Sequence, residues 1–173
     1  MIKKGISIFA IGLILVACNS VKKLTSIENK QIKQQVNTVL NDWHLAAAEA
    51  NFDNYFSKMD SVSVFIGTDA TENWNKQEFI AYSKPYFDNG KAWSFTTLER
   101  NIYIHNSGNL VWFDELLSTQ MGTCRGSGIL EKKGISWKIK QYVLSIAIPN
   151  EAVNAVIEAK KKNDDLFLKK FKK

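Results

Sequence analysis

Apolar residues recur at three- and four-residue spacing over residues 29–50: Ile32, Val36, Val39, Leu40, Trp43 and Ala47. No Gly or Pro interrupts the run, and the period predicts an amphipathic helix. Phe52, Tyr55, Phe56 and Met59 repeat the period on a short second helix over 52–59. From Ser61 to Ile66 the period falls to two with β-branched residues, which predicts a strand. Residues 67–74 form a polar loop that ends on Trp74. Asn75 or the residues just before it can cap a third helix whose apolar side is Phe79, Tyr82, Tyr86 and Phe87. Pro85 inside that pattern predicts a kink or a break.

From residue 92 the period is two almost to the end. It predicts strands at about 92–104, 109–119, 123–132 and 135–148. Ser107-Gly108, Met121-Gly122 and Lys133-Gly134 supply the turns. Pro149-Asn150 closes the sheet, and a C-terminal helix with Val153, Val156 and Ile157 on one side follows. Helices segregated from consecutive antiparallel strands define an α+β fold.

The first residues stand apart. Lys3 and Lys4 precede an apolar stretch over 5–17 that is too short to span a bilayer as a helix. It ends in Leu15-Val16-Ala17-Cys18, which resembles the lipobox of bacterial lipoproteins. That resemblance implies a signal peptide over 1–17, lipidation at Cys18 and a tether over 18–28. The folded domain then covers 29–150, and a basic helix or tail covers 151–173. Asn19 stands where an aspartate would mark inner-membrane retention, so outer-membrane attachment facing the periplasm is expected.

Charge and cysteines narrow the partners. The formal net charge is +6, and loss of the signal leaves +4 on the side chains. Much of it lies after residue 150, where seven Lys face Glu151, Glu158, Asp164 and Asp165. The body is nearly neutral and carries no nucleic-acid footprint. With Cys18 lipidated, Cys124 has no partner and reads as a buried core residue. His44 and His105 share no local motif with each other or with a carboxylate, so no metal site and no cofactor motif are expected.

The stretch 112–128, WFDELLSTQMGTCRGSG, holds the candidate chemistry. An even hairpin loop at Met121-Gly122 puts Asp114 on one face with Trp112, Leu116, Arg125, Ser127 and Ile129. An odd loop would put Glu115 beside Arg125 instead. The turn favours the even loop, and hence an Asp114–Arg125 pair. Such a pair is either a cavity acid oriented by an arginine or an ion pair that fixes register. Gly126 and Gly128 read as the bend that curls the sheet.

Several words of the chain, in order, resemble the SnoaL-like branch of the nuclear transport factor 2-like superfamily. They are Phe65-Ile66-Gly67-Thr68-Asp69 with Trp74, Tyr86-Phe87-Asp88-Asn89-Gly90-Lys91-Ala92-Trp93, Trp112-Phe113-Asp114-Glu115, Cys124-Arg125-Gly126-Ser127-Gly128, and Trp137-Lys138-Ile139 with Tyr142. The resemblance implies a cone: a bent antiparallel sheet around three helices, an apolar cavity at its open end, and a homodimer formed through the sheet. It implies no catalytic position. Trp74, Tyr86, Trp93 and Trp112, with Asp69 at the mouth and Arg125, are the candidate ligand contacts. The leading expectation is a lipid-anchored module that binds a small apolar or carboxylate-bearing molecule. The alternatives are a cofactor-free isomerase, cyclase or dehydratase with Asp114 as acid and base, and a structural dimerisation domain.

Overall fold

A computed structural model describes residues 23–172. Three helices, α1 (Ser26–Ala48), α2 (Phe52–Ser57) and α3 (Lys76–Asp88), cover one face of a six-stranded sheet. The strands are β1 (Met59–Ile66), β2 (Asn73–Asn75), β3 (Phe95–Ile104), β4 (Leu110–Thr119), β5 (Gly122–Lys133) and β6 (Ser136–Ile146). They lie in the order β2-β1-β6-β5-β4-β3. β1 runs parallel to β6, and every other pairing is antiparallel. The α+β architecture is thus the expected one.

Helix α1 starts earlier than its apolar period. Thr25 Oγ1 accepts from the Glu28 amide, and the Glu28 side chain returns to the Thr25 amide, a capping box that fixes the start. Leu24 already packs on the core, so the fold claims residues expected to belong to the tether. Cys18 and the expected signal peptide lie outside the described residues. Asn75 caps α3 as expected, with Glu78 closing a second box. Pro85 does not break α3, which continues to Asp88. Proline there removes a single hydrogen bond in the last turn, a modest loss beside the burial of Phe79 and Phe87. The buried stripe of α3 is Phe79, Ser83 and Phe87, while Tyr82 and Tyr86 are exposed.

The hairpin between β4 and β5 has a two-residue loop, Gln120-Met121, and Gly122 takes a left-handed φ of 83°. The resulting register pairs Leu116 with Arg125 and Asp114 with Ser127. Val111, Phe113, Glu115 and Leu117 therefore face the helices, with Cys124 and Leu130 beside them. Trp43 of α1 stacks on Tyr55 at 5.0 Å and meets the edge of Tyr142 at 4.8 Å, which joins helices and sheet in one aromatic core. After Pro149 a helical turn leads into α4 (Val153–Leu168), none of whose residues is buried.

Candidate functional site: an aromatic cavity above a buried carboxylate

Two irregularities in the sheet build the centre of the cone. In β3 the register shifts between Thr97 and Glu99, and in the β5–β6 pair it shifts between Ile129 and Leu130. Strict alternation from Thr97 would turn Glu99 inward, and strict alternation from Ile139 would turn Gln141 inward. The extra residues, Leu98 and Lys140, reverse the faces. Arg100 and Tyr142 then point to the helix side, where Glu115 lies fully buried.

Glu115 collects three hydrogen bonds and an ion-pair contact. His44 Nε2 and the Tyr142 hydroxyl each lie 2.8 Å from Oε1. Arg100 donates to Oε2 from Nε at 2.8 Å, and its Nη2 lies 2.7 Å from the same oxygen as an ion pair. Arg100 is itself held by Asn37, Asn41 and Thr97. Burial pushes the Glu115 carboxyl up, but the bond and charge of His44 and those of Arg100 outweigh it and hold the group below the ordinary glutamate range. Burial, and then the adjacent Glu115 charge, push the Tyr142 hydroxyl well above the usual tyrosine value. Both carboxylate oxygens are occupied, so Glu115 is a poor base and a strong tie between α1, β3, β4 and β6. Gly126 leaves the room for this: a methyl there would overlap the Tyr142 hydroxyl and press on Glu115 Cγ at 3.0 Å.

Above the network opens a cavity of about 140 Å³. Phe65, Trp74, Phe79, Tyr82, Trp93 and Phe95 line it with Met121 and Leu144, and its polar rim is Gly67, Thr68, Glu72 and Gln120. Phe95 meets the His44 ring at 5.7 Å, and Phe65 meets Tyr142 at 5.6 Å. Two cavity walls thus seal the polar network one layer below. Phe65 stacks on Phe79 at 4.0 Å, and Trp74 stacks on Tyr82 at 4.4 Å.

The structure sorts the residues singled out in the sequence. Trp74 and Trp93 line the cavity. Tyr86 does not; it is exposed on α3 beside Tyr82. Asp69 sits in the loop at the mouth, where its carboxylate accepts from the Thr71 amide at 2.8 Å and shapes the turn. Asp114 and Arg125 share a face as the hairpin register requires, with 3.6 Å between Oδ1 and Nη1. That face is the outer one. Asn101, Tyr103 and Arg125 surround Asp114 there, and Trp112 is 46% exposed beside a stacked Tyr103. Neither Asp114 nor Arg125 reaches the cavity, because the even loop that pairs them gives the inner face to Glu115. An exposed pair of this kind contributes little to stability. His44 is not an isolated histidine but a partner of Glu115 across 71 positions of sequence. Among the described residues no cluster of three His, Cys, Asp or Glu side chains is placed to hold a metal.

A bent sheet closed over three helices, with an aromatic cavity at one end, defines a cone-shaped α+β fold. The chain belongs to the SnoaL-like domain family, whose model matches residues 36–149. A search of curated protein sequences returned no match. Among solved structures, the chain is similar to an NTF2-like protein of unknown function from Pseudomonas putida, with 11% identity and a TM-score of 0.59 over 76% of this chain and 94% of that one. It is similar at 10% identity and a TM-score of 0.59 to a protein from Streptomyces avermitilis named as a candidate dehydratase of the NTF2-like family, over 69% of this chain and 99% of that one. The association domain of CaMKII from C. elegans shares 19% identity and a TM-score of 0.58 over 70% of this chain and 99% of that one. These likenesses establish the fold.

Proposed function

We propose that the protein is a small-molecule-binding module, held at the cell envelope by lipid on Cys18, whose ligand enters the aromatic cavity. The observation that carries this reading is the layering: an open apolar cavity lies above a polar network whose hydrogen bonds are already satisfied. A cavity of about 140 Å³ has room for roughly one six-membered ring. The alternative reading, a cofactor-free isomerase, cyclase or dehydratase, draws on a fold neighbour named as a candidate dehydratase. The outward position of Asp114 removes the acid on which that reading relied.

Native mass spectrometry of the full-length chain from its own host tests the proposal. The expected result is a retained small molecule that disappears in Met121→Trp, where the larger side chain fills the cavity from the β4–β5 turn. A chain that carries no additional mass, and that takes up no small molecule on exposure to a host extract, would overturn it.

A second reading, self-association through the outer face of the sheet, is favoured by the stacked Tyr103 and Trp112, which are 45% and 46% exposed. A fold neighbour named as an association domain points the same way. Sedimentation velocity is expected to show a dimer that Trp112→Glu converts to monomer. A wild-type protein that remains monomeric at high concentration removes this reading.

A further inference from the structure

Glu72 is the one carboxylate in the cavity lining, and no Lys, Arg or His lines the cavity with it. Its position is fixed from several sides. Its Oε2 accepts from the Asp69 amide at 3.1 Å, and its carbonyl accepts from the Gly67 amide at 2.9 Å. Gly67 packs so closely on the carboxylate that a methyl there would overlap Oε2. The charge is felt inside the cavity: among the influences that raise the Tyr82 hydroxyl, after burial and the neighbouring Tyr86, is Glu72. Among the described residues Glu72 has no ion-pair partner. Lys170 acts electrostatically on the neighbouring Asp69 but makes no ion pair with Glu72.

Six aromatic rings and one uncompensated carboxylate discriminate among ligands by charge. An anionic ligand would bring a second negative charge beside Glu72 with no cation in the cavity lining to neutralise it. A neutral apolar ligand would strip water from Glu72 without compensation. A cation satisfies the carboxylate and is attracted by the negative faces of the rings. Resting on the proposal that this cavity binds a small molecule, we infer that its ligand is a small organic cation, a quaternary or alkyl-substituted ammonium group. The apolar substituents fill the aromatic box, and Glu72 balances the charge at the mouth.

An isosteric series separates the possibilities. Choline, 3,3-dimethylbutan-1-ol and 3,3-dimethylbutanoate have similar shape and carry positive, zero and negative charge. Titration of the full-length chain, followed by calorimetry and tryptophan fluorescence, is expected to rank choline at least about ten-fold above the alcohol, and the anion last. Glu72→Gln is expected to remove most of choline's advantage, by weakening choline and, with no charge left to desolvate, by strengthening the alcohol. Wild-type protein that binds the alcohol as tightly as choline would overturn the inference and leave the binding module standing. An unchanged choline advantage in Glu72→Gln would also overturn it. Absence of saturable binding by all three probes would count against both the inference and the cavity reading.

Discussion

Replacing Glu115 by alanine is expected to destabilise the protein by about 3–5 kcal/mol, roughly 10–15 °C in Tm for a domain of this size. The substitution leaves the Arg100 guanidinium, whose side chain is 5% exposed, without its counter-charge. It also strands His44 and the Tyr142 hydroxyl in the core. Thermal and urea unfolding measure the loss. The double replacement Arg100→Met with Glu115→Leu is expected to recover much of it, because removing both charges removes the unpaired one. A loss of under about 1 kcal/mol in the single variant would show that water or relaxation compensates the network.

The same residue sets an acid limit on the fold. The folded pKa of Glu115 lies below its unfolded value, so its contribution is fully present above the ordinary glutamate pKa of about 4.3 and is lost as pH falls through the lower folded value. Stability of the wild type should therefore drop more steeply than that of Glu115→Ala as pH falls below the ordinary glutamate pKa of about 4.3.

Gly128→Ala is expected to cost about 2–3 kcal/mol, and the cause is steric rather than conformational. A methyl at this position would overlap the carbonyl oxygen of Gln141 and approach Phe113 Cε1 at 2.8 Å. The carbonyl belongs to the bulged part of β6 and has little freedom to withdraw. Gly134 provides the contrast. It has a left-handed φ of 60° and open space around it, so Gly134→Ala is expected to cost about 1 kcal/mol through backbone strain alone. Equal losses in urea titrations of the two variants would show that close approach is not what Gly128 provides.

Local chemistry made most of the architecture legible in the sequence. The Met121-Gly122 turn set the β4–β5 register, and that register placed Asp114 with Arg125. The inner face could not be read as easily, because both faces of β4 carry large apolar residues: Val111, Phe113 and Leu117 inward, Trp112 and Leu116 outward. Adjacent acids at 114 and 115 left the choice of cavity acid to that ambiguity. Arg100 and Tyr142 were hidden for a different reason. Each reaches Glu115 only because a bulge upstream reverses the alternation, and no residue type at Leu98 or Lys140 announces one. His44 sits on the buried stripe of α1, but its partner is 71 positions away, beyond any local motif. The three-residue β2 leaves no trace in the sequence pattern because it is shorter than any periodic signal.

The bulge in β3 and the brevity of β2 also fall on the two margins of the sheet. One margin ends in a strand that pairs only with Val64, Phe65 and Ile66 of β1, and the other is interrupted at Leu98. Neither presents the long, flat row of free amides and carbonyls onto which a foreign strand could zip. Strand-by-strand growth into fibrils is thereby discouraged in a chain rich in β-branched and aromatic segments.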